Sequence, residues 1–113
     1  MSHTFSEHKG QIQVLQVSSL LNEYDNKSIM QDVEKRISSG WNKFVLDLSS
    51  MDFMNSVGLN FLIFMLKKAR TSGGKFAVAN ASEQILNLLE VTKLKPMFDL
   101  ESSVDDATKK LEG

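Results

Sequence analysis

The chain has 113 residues, enough for one hydrophobic core and too few for two. Hydrophobic residues make up 42% and charged residues 24%, with a net charge of −1 and a pI of about 6.1, which fits a folded domain and gives no basic field for nucleic acid. The absence of cysteine excludes disulfides, thiolate nucleophiles and Cys-rich zinc sites. The N-terminus, Met1 to Lys9, is polar, so no secretory signal is expected. The longest apolar run, Phe61 to Leu66, is far short of the ~20 residues of a membrane span, so a cytoplasmic domain without membrane insertion is expected.

Phe5 to Lys9 fits a short edge strand before a turn at Gly10. Gln11 to Val17, with Ile12 and Val14 at period two, reads as a second strand. Ser18 to Asn26 is polar and turn-like. Asn26 or Ser28 is then placed to cap a helix whose apolar stripe is Ile29, Val33 and Ile37, with Gly40 as its stop. Phe44 to Leu48 is almost continuously apolar, as a strand covered on both faces would be. A second helix is predicted from about Val57 to Arg70. Its core face is Leu59, Leu62, Ile63 and Leu66, and Lys67, Lys68 and Arg70 complement the dipole in its last turn. Lys75 to Asn80 is a third buried-type strand. Ser82 caps a helix through Lys93, with Ile85, Leu88, Leu89 and Thr92 toward the core. Pro96 blocks its continuation, and Met97 to Leu100 fits a last short strand. Ser102 or Ser103 caps a final helix with Val104, Ala107 and Leu111 inward. The order β-β-α-β-α-β-α-β-α implies a mostly parallel sheet with one antiparallel or mixed edge.

Enzyme signatures are missing. His3 and His8 are the only histidines, in a stretch expected to be loose, so neither a metal site nor a Ser-His-Asp triad is expected. No P-loop and no GxGxxG after a strand is present. Asp105 and Asp106 fall in the first turn of the last helix, where the dipole favours negative charge. No catalytic residue, cofactor or metal is therefore assigned.

Ser56 lies where the second helix begins, and two roles suit it there. It can be an N-cap, its oxygen accepting from a free backbone N–H. It can also carry a phosphoryl group, because a helix start tolerates an anion. Gly58 either leaves the hydroxyl open to a partner or relieves crowding at a tight strand-helix corner. With Leu59, Leu62, Ile63 and Leu66 inward, Phe61 and Phe64 fall on the opposite side and Met65 on the flank. Two phenylalanines on that side imply either that another helix covers them or, since a one-domain parallel sheet has few helices to spare, a partner surface, which a homodimer would use equally well. A charged group on Ser56 at its rim would weaken binding.

Val45-Leu46-Asp47-Leu48 followed by Met51-Asp52-Phe53-Met54-Asn55-Ser56-Val57-Gly58-Leu59 resembles the strand, loop and phosphorylation motif of STAS domains of the anti-sigma-factor antagonist family, typically ending Asp-Ser-[Ser/Thr/Ala]-Gly-Leu. Val78-Ala79-Asn80 with Ser82-Glu83-Gln84-Ile85 resembles the family's third parallel strand and next helix. Leu88-Leu89 with Thr92, Leu94 and Phe98 resembles the segment leading to its last strand. The resemblance runs from Phe5 to Leu111. It implies an α/β STAS-like domain over residues 1–113, with a mixed, mostly parallel sheet and helices packed mainly on one face.

It also implies a cycle. The unphosphorylated antagonist binds a serine kinase that is an anti-sigma factor and frees the sigma factor. The kinase phosphorylates Ser56 and ejects the antagonist, and a metal-dependent serine phosphatase resets it. Two positions depart from the family. Asn55 stands where many members have Asp, and Ser19-Leu20-Leu21-Asn22 replaces Gly-x-Leu-Asp, leaving Glu23 or Asp25 to supply the charge. The residues expected at the partner surface are Asn22, Asp25, Asn55, Val57, Gly58, Phe61, Phe64 and Met65. The alternative is an accessory or scaffold subunit of a transport or signalling assembly, docking through the same helix without phosphorylation.

Overall fold

A computed structural model describes residues 3–20 and 22–112. Five strands form one sheet in the order β1-β2-β3-β4-β5. They are β1 (His3–His8), β2 (Ile12–Val17), β3 (Lys43–Asp47), β4 (Lys75–Ala79) and β5 (Leu100–Glu101). The β1–β2 pair is antiparallel and every later pair is parallel. The connections are α1 (Glu23–Ser38), α2 (Ser56–Thr71) and α3 (Glu83–Val91), with α4 (Val104–Glu112) after β5. The expected mixed, mostly parallel α/β sheet is the fold observed.

Strand side chains alternate between faces, and the two faces have different cores. Leu15 and Val17 of β2, Phe44 and Leu46 of β3, and Phe76 and Val78 of β4 point to one face. There they meet Ile29 and Val33 of α1, Phe61 and Leu62 of α2, and Ile85 and Leu89 of α3. Ile12, Val45, Ala77 and Ala79 point to the other face and meet Ala107 and Leu111 of α4, with Val14 and Val104 at the margin. The alanines of β4 are small, so α4 can lie close on that side. Three helices lie on one face and one on the other, which agrees with the expectation of helices packed mainly on one face.

Four local expectations are corrected. Residues 23–26 are helical, because Asn22 caps α1: its Oδ1 accepts from Asp25 N at 2.8 Å. Asn26 is thus inside the helix and Ser28 is not a cap. α3 ends at Val91, and Thr92 is an exposed C-terminal residue whose hydroxyl donates to Leu88 O at 2.8 Å. Lys95–Met97 is a single 3-10 turn with Pro96 inside it, which delays β5 to Leu100–Glu101. His3 and His8 lie in β1 rather than in a loose tail. His3 Nε2 is 2.8 Å from Asp32 of α1, and His8 Nε2 is 3.0 Å from Glu112 of α4. Ser82 caps α3 as expected, and Ser103 rather than Ser102 caps α4, through Asp106 N.

Candidate functional site

The carboxyl ends of β2 and β3 lead to the starts of α1 and α2, so those two helix N-termini share one end of the molecule. α2 begins at Ser56, and its cap is Asn55. Asn55 has an extended backbone (φ −108°, ψ −167°), and its Oδ1 accepts from Val57 N at 3.0 Å and Gly58 N at 3.2 Å. Ser56 is therefore not the cap but the first helical residue, and it is exposed. Asn and Ser cap about equally well, and here the Asn one place earlier takes the position. The cap is neutral and the first turn of α2 holds no acidic residue, so nothing in that turn offsets the positive end of the helix dipole.

The loop before Ser56 is anchored from several sides. Met51 and Met54 are buried, at 5% and 6% exposure. The Ser82 hydroxyl, at the start of α3, donates to the Asp52 carbonyl and accepts from Ile85 N. Deeper in the sheet, Asp47 Oδ1 accepts from Ser49 N and from Asn80 Nδ2, each at 3.0 Å, and fixes where the loop leaves β3. A Cβ on Gly58 would lie 2.8 Å from Met54 Cβ. The glycine is there because helix and loop touch, which resolves its two sequence readings in favour of crowding.

The start of α1 lies against the start of α2. Asn26 Nδ2 donates to the Val57 carbonyl at 3.0 Å. Asn22 Nδ2 donates to Asp25 Oδ2 at 2.8 Å, so that carboxylate is held within the α1 cap. Glu23 and Asp25 complement the positive end of α1. Tyr24 beside them is 85% exposed, and Phe53 in the loop before Ser56 is 56% exposed.

Of the residues expected at a partner surface, Asn22 and Asn55 are exposed at this end, as is the expected phosphoryl acceptor Ser56, and Asp25 and Val57 are half-buried there. Phe61 and Met65 are corrected: they are 0% and 1% exposed and belong to the core, and Gly58 is buried beside them. α2 is rotated from the expected orientation, with Gly58, Phe61, Leu62, Met65, Leu66 and Ala69 inward and Leu59 and Ile63 half-buried. Phe64 is half-buried, its ring 6.1 Å from that of Phe61 and 5.7 Å from the Lys68 ammonium. α1 covers this flank, and Glu34 pairs with Lys68 at 3.3 Å. The exposed aromatics are instead Tyr24 and Phe53. Tyr24 was legible as a residue off the Ile29–Val33 stripe, but only once the helix is known to begin before it.

An open cavity of about 650 Å³ lies nearby, at the carboxyl ends of β3 to β5, lined by residues that include Ser49, Asn80, Leu86 and Glu101. The Asp99 carboxylate beside Glu101 raises the pKa of the Glu101 carboxyl above its ordinary value. Among the described residues no three His, Cys, Asp or Glu side chains gather as a metal ion would require, and no helix is long and apolar enough to cross a membrane.

A family model described as the STAS domain matches residues 6–107. A Thermotoga neapolitana protein described as a candidate anti-sigma factor antagonist is 26% identical over 77 residues, 68% of each chain. The crystal structure of a candidate anti-sigma factor antagonist from Thermotoga maritima superposes with a TM-score of 0.88 at 21% identity, over 98% of this chain and 95% of that one. The anti-sigma factor antagonist SpoIIAA of Bacillus superposes in its unphosphorylated form with a TM-score of 0.84 at 13% identity, over 99% of this chain and 97% of that one. In its phosphorylated form the TM-score is 0.76 at 14% identity, over 96% and 98%.

Proposed function

The chain belongs to the STAS domain family, and from that premise we propose that it is a phosphorylation-switched interaction module of the anti-sigma factor antagonist type. Unphosphorylated, it binds a serine kinase that acts as an anti-sigma factor, in the cytoplasm, and so frees the sigma factor. The observation that carries this reading is Ser56, an exposed hydroxyl on the first residue of a helix whose cap is neutral. The solved phosphorylated form of SpoIIAA supports it, since a chain of this fold exists in that state.

The chemistry is simple. The Ser56 oxygen attacks the γ-phosphorus of ATP held by the kinase. An O–P bond forms, the bond to the β-phosphate oxygen breaks, ADP leaves, and the serine proton passes to a base of the kinase. The chain supplies only the nucleophile and its placement. The product carries about −1.5 to −2 charges at the end of the molecule where Tyr24 and Phe53 are exposed, and these two aromatics are the proposed apolar part of the contact. Placing that charge in the interface opposes binding by desolvation and by repulsion from acidic groups. A metal-dependent serine phosphatase would reverse the step.

The test is phosphoryl transfer from the cognate kinase to the wild type and to Ser56→Ala. Labelling of the wild type alone is expected, and equal labelling of both would remove Ser56 from the assignment. If Ser56 is unmodified in cells and a membrane ATPase copurifies, the chain is an accessory docking subunit instead.

A further inference from the structure

The peptide group between Val57 and Gly58 is held at both ends. Its N–H, on Gly58, donates to Asn55 Oδ1 at 3.2 Å. Its carbonyl, on Val57, accepts from Asn26 Nδ2 at 3.0 Å. A peptide group is planar and turns as one piece, so movement at one end is felt at the other. One end lies beside Ser56. The other is gripped by α1, one residue past Asp25 in the turn that carries Tyr24.

Asn26 is an unusual choice for its place. It shares the core-facing stripe of α1 with Ile29 and Val33, and it is 3% exposed. Its Oδ1 is buried and has no hydrogen-bond partner among the described residues. A buried amide with one half unsatisfied is worse for stability than an apolar side chain of similar size. Packing alone therefore gives no reason for an amide here, and the bond to Val57 does.

We propose that Asn26 is a positioning residue that transmits the state of Ser56 to the acidic first turn of α1. The proposal rests on reading Ser56 as a phosphoryl acceptor. A phosphoryl group there brings three acceptor oxygens and about two negative charges next to the Val57 and Gly58 N–H groups. Those groups are now taken by the neutral Asn55 amide oxygen, over which an anion at a helix N-terminus is strongly favoured. As the Gly58 N–H turns toward the phosphate, the Val57 carbonyl tilts with it, and Asn26 carries the tilt into α1. The surface presented by Asn22, Tyr24 and Asp25 then changes together with Ser56.

The coupling itself is measured without a kinase, and phosphoryl transfer is read separately. Backbone amide ¹H–¹⁵N shifts of Asn22 to Asp25 are compared in the wild type, Ser56→Glu, Asn26→Leu and the double variant. Leucine keeps the branched shape and heavy-atom count of Asn26, though its methyls are larger, and removes its donor. Ser56→Glu is expected to move these amides when Asn26 is present, and the same change to move them less, by on the order of threefold, when Asn26 is leucine. Equal shifts in both backgrounds, or none in either, overturn the proposal. Should Asn26→Leu fail to fold, Asn26→Ser, too short to reach Val57, takes its place in the same comparison. Absence of phosphoryl transfer to Ser56 with the coupled shifts intact would count against the phosphoacceptor reading alone. Equal shifts with normal transfer would count against the role of Asn26 alone.

Discussion

Asn55→Ala removes the oxygen that accepts from Val57 N and Gly58 N, and so leaves two helix N–H groups to water. Loss of such a cap costs ~1 kcal/mol. Ser56→Ala removes an exposed hydroxyl that does not cap the helix, and surface changes of that kind stay within about 0.5 kcal/mol. Urea denaturation of the two variants separates them. If Ser56→Ala is the more destabilised, the cap is Ser56 after all. Gly58→Ala is a harsher change, because its Cβ would lie 2.8 Å from Met54 Cβ and neither backbone can yield cheaply. A loss of about 1–3 kcal/mol is expected from this overpacking, and an unchanged midpoint would mean the corner is looser than the geometry requires. Ser56 was legible in the sequence because a strand pattern gave way to a helix pattern there. The one-residue distinction between cap and first helical residue was not, since Asn55 and Ser56 both suit a cap and only the backbone angles separate them.

At the scale of elements, the strand and helix order followed from alternation of patterns, and the misreadings have specific causes. α2 is apolar almost all round, with Leu59, Phe61, Leu62, Ile63, Phe64, Met65 and Leu66 in succession. Such a run holds two overlapping stripes, and rotating the helix by one residue, ~100°, exchanges one for the other. The sheet takes the Phe61–Met65 stripe and α1 shelters Phe64, so both sides of the helix are apolar for a reason that no single-helix pattern contains. The first turn of α1 was hidden because Glu23, Tyr24 and Asp25 contribute no apolar stripe. α4, alone on its face, is held by Leu111 and at its end by Glu112, whose Oε1 lies 3.0 Å from His8 Nε2 and 2.9 Å from Lys9 Nζ. Lys9 first and His8 second lower the Glu112 pKa below its ordinary 4.5. A carboxylate held lower in the folded than in the unfolded state adds stability above the unfolded pKa and loses it as pH falls through the folded value. Glu112→Gln is therefore expected to lower the melting temperature slightly at pH 7 and not at all at the most acidic pH where the protein still folds. A gap between the two proteins that is constant across that range would contradict the ion-pair account.

At the scale of the molecule, the two ends of the sheet and its two faces have different work. α4 closes one face, the buried stripes of α1, α2 and α3 close the other, and the starts of α1 and α2 place Tyr24, Phe53 and Ser56 at one end of the molecule. Burial thus sorts the aromatic residues into two groups with opposite expected behaviour. Phe61, at 0% exposure, fills the core, and Phe61→Ala is expected to lose ~3–5 kcal/mol of folding stability. Tyr24 and Phe53 give little to folding, because most of their surface already faces water. In a partner interface the same exposed aromatics become anchors, and truncating a central one costs ~2 kcal/mol or more of binding. Tyr24→Ala and Phe53→Ala should therefore melt close to the wild type yet bind the purified kinase at least about thirtyfold more weakly in calorimetry. Ser56→Glu should weaken the same binding while leaving the fold intact, since it would introduce charge at the rim of the proposed contact and remove none of its apolar area. Should both aromatic variants bind with wild-type affinity while Phe64→Ala, still folded, does not, the contact surface would lie along the flank of α2 rather than at the helix starts.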